Sequence, residues 1–126
     1  MSNPDTERYA RQMSEGRLFL LAAEKNSICG FGALDIAKCE IASLFVHPDH
    51  AGLGIGAGLL HALENVATAH GISELMVHSS LNGCRFYENH GYEKGELEKF
   101  QLWSSQQIDA VRLNKNVQGN SGGQAP

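Results

Sequence analysis

A mixed α/β sheet of about six strands is the fold class this sequence predicts, and three observations predict it. Short apolar runs separated by polar turns fill the first half of the chain. One longer run with helical spacing then opens directly from a glycine-rich turn, and alternating runs return after it. At 126 residues the chain has the size of one domain built around one core.

The elements follow in order. Asp5 to Glu15 is polar and reads as a short helix. Arg17 to Ala23 is an apolar strand, Glu24-Lys25-Asn26-Ser27 a polar turn, and Ile28 to Leu34 a second strand. A shorter turn around Ala37-Lys38 leads to a third strand, Cys39 to Val46. Strands joined this closely pair antiparallel. Ile55, Leu59, Ala62, Leu63, Val66 and Ala67 recur at helical spacing, with His61, Glu64, Asn65 and Thr68 on the other side. Gly71 is placed to end that helix as a left-handed cap.

Ile72 to His78 is the next strand, and a helical crossover into it predicts a parallel neighbour with right-handed connection. Asn82 to Asn89 reads as a short helix, started by Ser80 or Asn82 and stopped before Gly91. Gly95 to Trp103 and Ile108 to Leu113 alternate as strands. From Asn116 onward the apolar content is too low to order the chain, so residues 1–115 form the domain and 116–126 a disordered tail.

Composition narrows the function classes. A formal net charge of −4 argues against a nucleic-acid footprint and is compatible with cationic partners such as amines. No apolar run approaches eighteen residues and the first residues lack a signal-peptide pattern, so a cytoplasmic protein without membrane contact is expected. Cys29, Cys39 and Cys84 are an odd number without metal-ligand spacing and read as reduced, buried residues. The six histidines form no zinc pattern either, and no metal is expected. His78 stands out as a strand-end residue of the type that changes charge near neutral pH.

The most informative stretch runs from Phe45 to Leu60. A strand stops at Pro48, a turn follows, and Gly52, Gly54, Gly56 and Gly58 open onto the helix. Glycines let successive amides crowd one anion, and the helix adds its positive dipole end. A Walker loop is excluded, because the loop ends without Gly-Lys-Ser/Thr. A dinucleotide fingerprint is formally met by Gly52, Gly54 and Ala57, but His47 to Ala51 intervene after the strand, and the next strand ends Met76-Val77-His78-Ser79-Ser80 without the required acid.

Val46 to Gly56 resembles the acyl-CoA loop of the GCN5-related N-acetyltransferases (GNAT), with its Q/R-x-x-G-x-G/A pattern after a strand ending Val-x-Pro. Ser80 to Tyr92 is similar to that family's later signature, S-L-N-A-x-x-F-Y-E-x-x-G-F/Y. The resemblance covers about Arg17 to Lys115. Ala51 stands where the family has Gln or Arg, and Leu53 where a basic residue is common. The implied fold is a mostly antiparallel acyl-CoA N-acyltransferase sheet with helices on both faces.

The implied function is transfer of an acetyl group from acetyl-CoA directly to a primary amine of a small molecule or peptide. The alternative is an acyl-CoA-binding, catalytically inactive relative or truncated product acting as a binding module. Resemblance places the donor on the amides of Ala51, Gly52, Leu53, Gly54, Ile55 and Gly56, with Ser80 and Asn82 in reach. It also places the pantetheine arm beside a bulge in Leu44, Phe45 and Val46. Tyr87 corresponds to the tyrosine that faces the sulfur and protonates the leaving thiolate. Glu40 matches the general base of the histone-modifying branch, and strict alternation sets it on the side of Ala42, Leu44 and Val46. Only about sixteen residues precede Arg17, too few for the usual first strand and two helices, so the resemblance implies an N-terminally shortened member. The uncovered sheet predicts a homodimer or higher assembly.

Overall fold

The computed structural model describes residues 9–25, 27–101 and 106–118. Seven strands, two α-helices and two short 3-10 turns among these belong to two compact units, Met1–Ile72 and Ser73–Pro126.

The first unit contains β1 (Tyr9–Ser14), β2 (Arg17–Glu24), β3 (Ser27–Asp35), β4 (Glu40–Val46) and the helix α1 (Ile55–Ala69). The strands form an antiparallel meander, as their short turns require. β1 corrects the helix expected over Asp5 to Glu15; residues 5–8 lie outside the described residues. The reason lies in the turn. Glu15 and Gly16 both have positive φ, 52° and 81°, which makes a two-residue hairpin whose twist matches the flanking strands. Ser14 therefore faces Arg17, and β1 pairs along β2.

α1 packs on β2, β3 and β4. Its buried stripe, Ile55, Leu59, Leu60, Leu63, Val66 and Ala67, meets Leu18, Leu20, Leu34 and Ile41, all at most 4 % exposed. The seat is cut by two glycines in β3. A Cβ at Gly32 would lie 2.8 Å from Leu63 Cδ1, and one at Gly30 would collide with the Phe45 carbonyl oxygen and reach 3.3 Å from Leu59 Cδ1. Gly71 ends the helix with φ 82°, as expected, and the Ile72 amide reaches back to the Ala67 carbonyl at 3.0 Å.

The second unit holds β5 (Glu74–Ser79), α2 (Cys84–Glu88), β6 (Glu93–Gln101) and β7 (Gln107–Asn116). β7 pairs antiparallel with both β5 and β6. Of the helix expected over Asn82 to Asn89, the first turn is 3-10, Leu81–Gly83, because the Ser80 hydroxyl caps it by accepting the Gly83 amide at 3.1 Å. Order continues past the expected boundary at residue 115. Asn116 pairs with Glu74, Val117 is buried, and its amide donates to the Ser73 carbonyl at 2.9 Å; residues 119–126 lie outside the described residues.

The two β3 glycines differ in what an added methyl would strike. Gly32→Ala meets the mobile end of a leucine, whereas Gly30→Ala meets backbone. Urea unfolding should show Gly32→Ala costing about 1 kcal/mol and Gly30→Ala about 3 kcal/mol or preventing folding. Equal losses would contradict this seating of α1.

Candidate functional site

The chain between β4 and α1 is built by local bonds. Pro48–His50 form a 3-10 turn whose start is capped by the His47 ring, Nδ1 accepting the Asp49 amide at 3.1 Å. The Ala51 amide closes the turn on the Pro48 carbonyl at 3.2 Å. Gly52 and Gly54 then both adopt φ 81°, a region that favours glycine, and a Cβ at either would meet nothing within 4 Å. Their requirement is conformational, and it leaves open space in front of the main chain.

Gly54 is the N-cap of α1, without a side-chain cap and without an acid in the first turn. By helix geometry the amides of Gly54 to Ala57 lack intrahelical carbonyl partners. They and the helix dipole make a positively polarised, uncapped end on a loop whose side chains, Ala51 and Leu53 included, are exposed. This arrangement fits an anion such as a diphosphate, bound by backbone rather than by basic side chains.

The β4 residues are placed differently from the strict alternation. Leu34 faces Ile41 but Ala33 faces Ser43, so Ala42 is the extra residue of a bulge. The bulge thus sits ahead of Leu44, Phe45 and Val46, which pair regularly with Gly32, Phe31 and Gly30. It also reverses the face of Glu40. Paired with Asp35, Glu40 lies with Ser43 and Phe45, while Leu44 and Val46 share the α1 face with Ile41. Asp35 itself pairs with Arg17 at 3.5 Å.

In the second unit Ser80 caps its turn, Asn82 is exposed, and Tyr87 is buried on α2. The Tyr87 ring makes edge contacts with Phe86 and Tyr92, centroids 5.1 and 5.6 Å away. Burial pushes its hydroxyl up from 10.0 to about 12. A group absent from the sequence reading appears beside His78, whose Nε2 lies 3.0 Å from Glu98 Oε1, with Arg112 Nη1 3.7 Å from Glu98 Oε2. Only the pairing of β7 with both β5 and β6 brings residues 78, 98 and 112 together; no local spacing signals it.

Residues 2–107 match the acetyltransferase (GNAT) domain family. This chain belongs to that family. An uncharacterised acetyltransferase of Streptococcus pyogenes serotype M1 is 42% identical over 45 residues, 36% of this chain and 32% of that protein. The chain thus matches about a third of the length of such curated relatives. A GCN5-related N-acetyltransferase structure from Rhodopseudomonas palustris is similar with a TM-score of 0.75 and 30% identity, covering 80% of this chain and 62% of that one. A GNAT family acetyltransferase from Elizabethkingia anophelis with acetyl-CoA bound has a TM-score of 0.67 at 18% identity, covering 80% and 76%. The fold is the mixed α/β acyl-CoA N-acyltransferase fold, here with seven strands among the described residues.

The raised Tyr87 hydroxyl has a consequence for alkaline stability. The fold favours the neutral phenol, so its contribution is complete below pH 10 and is lost as pH rises through about 12, worth on the order of 3 kcal/mol. Tyr87→Phe should therefore remove part of the alkaline fall in stability between these values. Equal pH dependence of wild type and variant in chemical unfolding would contradict a buried, neutral Tyr87.

Proposed function

We propose that this protein is an acetyl-CoA-dependent N-acetyltransferase acting by direct transfer on a primary amine of a small molecule or peptide, in the cytoplasm. The observation that carries the reading is the turn of Ala51 to Gly56, where two left-handed glycines open an uncapped helix. Its amides would take the donor diphosphate, with Ser80 and Asn82 contributing from the second signature. Leu44, Phe45 and Val46 would offer main-chain groups to the pantetheine arm. Membership of the GNAT family and a similar fold with acetyl-CoA bound support this assignment.

In this reading the enzyme's chief contribution is holding amine and thioester together. As the amine nitrogen bonds to the carbonyl carbon, the C–S bond breaks and sulfur leaves with the electron pair. Tyr87 donates a hydrogen bond to that sulfur. With its hydroxyl near 12 and an ordinary thiol near 8.5, full proton transfer from Tyr87 would run uphill. The proton lost by the amine therefore reaches sulfur through base and solvent. Glu40 is the proposed base, with His78, hydrogen-bonded to Glu98, as its competitor.

A second copy of the chain is the proposed partner. Opposite α1, the first unit presents Phe19, Leu21 and Phe31, half-buried, beside Phe45, which is 47 % exposed. An apolar sheet face of this kind seldom stays open in a monomer. Light scattering at micromolar concentration should give a dimer for wild type and a monomer for Phe45→Glu. A wild-type monomer would remove the proposal.

The functional reading is tested by calorimetry and turnover together. Gly54→Asp keeps a residue that tolerates positive φ but puts a carboxylate into the cradle, and CoA affinity should fall at least a hundredfold. Tyr87→Phe should retain CoA binding and lower kcat about 10- to 1,000-fold. Turnover over an amine panel with neither Glu40→Gln nor His78→Asn altering the pH profile would leave proximity as the mechanism. CoA binding without turnover on any amine would identify the inactive binding module instead.

A further inference from the structure

Three side chains suited to a metal ion converge in the first unit where the β2–β3 hairpin meets the turn that follows β4. One ligand atom each from Glu24, Cys29 and His50 lies within 4.8 Å of the other two. Their positions in sequence follow no metal-binding spacing. They meet because Glu24 ends β2, Cys29 lies in β3 just beyond the hairpin turn, and His50 ends the 3-10 turn after β4.

The local backbone aims these groups. Ala22 faces Gly30 and Ala23 faces Ile28, so Cys29 is the extra residue of a second bulge, a feature that redirects a side chain. The His47 amide donates to the Cys29 carbonyl at 2.7 Å, and the His50 amide donates to the His47 carbonyl at 2.8 Å. Two main-chain bonds thus hold the turn that bears His50 against the strand that bears Cys29. Cys29 is 2 % exposed, His50 is half-buried and Glu24 is exposed, so the group is anchored inside and open on one side.

We propose that Glu24, Cys29 and His50 bind a zinc ion that fastens the turn ahead of the glycine loop to the β2–β3 hairpin. Thiolate, imidazole and carboxylate are the donors zinc takes, at lengths that give tetrahedral edges of about 3.3 to 3.6 Å between ligand atoms. Rotation of the half-buried His50 side chain and of the exposed Glu24 side chain, which exchanges its present contact for the ion, supplies a closure of up to about 1.5 Å, and water completes the tetrahedron. On binding, the Cys29 thiol releases its proton to solvent and gives up its weak contact with the Ser27 carbonyl at 3.8 Å. The site lies wholly within the first unit, and its existence does not depend on acetyl transfer.

The test is titration of the untagged, reduced and chelator-treated full chain with zinc, and with cobalt as a spectroscopic stand-in. Wild type should bind one zinc per chain with Kd of about 1 μM or tighter and gain thermal stability. Glu24→Gln should weaken binding about tenfold, and Cys29→Ser or His50→Ala at least a hundredfold. Cobalt should show a thiolate charge-transfer band in wild type, Cys39→Ser and Cys84→Ser, but not in Cys29→Ser. Glu24→Gln and His50→Ala change side chains outside the buried core, so their circular dichroism should match wild type. Wild-type binding weaker than about 100 μM, or Cys29→Ser and His50→Ala binding as wild type does, would overturn the site.

Discussion

The close seating of α1 on β3 is the constraint on which the first unit depends. Helix and sheet approach at Gly30 and Gly32, where a methyl group on either glycine would intrude on the Phe45 backbone or on Leu63. That approach sets the height of the helix above the sheet, and through it the position of its first turn. Gly54 can cap α1 with backbone alone because Leu59, Leu60 and Leu63, fully buried, hold the helix down on the sheet. The proposed site of main-chain amides needs this rigidity, since amides cannot adjust as long side chains do.

Two bulges shape the rest of the unit. The one at Ala42 changes which face β4 residues present, setting Glu40 beside Asp35 and leaving Leu44 and Val46 to α1. The one at Cys29 turns a buried thiol toward Glu24 and His50. Each inserts a single residue into a ladder and each relocates a chemically active group. The two faces of this sheet therefore differ in character: one is filled by the helix, and the other carries Phe19, Leu21, Phe31 and Phe45 with partial exposure.

The elements with strong periodicity were legible in the sequence. α1 and its glycine cap, the meander from Arg17 to Val46, and the capping role of Ser80 all rest on local signals that the structure retains. β1 was missed because its residues are polar and its hairpin signal is only Glu15-Gly16, two residues whose positive φ composition does not announce. The side of Glu40 was misjudged because alternation assumes no bulge, and nothing local marks Ala42. The pairing of His78 with Glu98, and the meeting of Glu24, Cys29 and His50, arise from strand registers that single-sequence spacing does not contain.

The backbone amides at the start of α1 are the proposed donor cradle. Amide hydrogen exchange of Gly52, Gly54, Ile55, Gly56 and Ala57, followed with and without acetyl-CoA, tests it most directly. Saturating acetyl-CoA should slow exchange at these amides at least tenfold more than at the exposed residues 11–14 of β1. Protection spread evenly over the chain, or no change at these five amides under saturating ligand, would contradict the account.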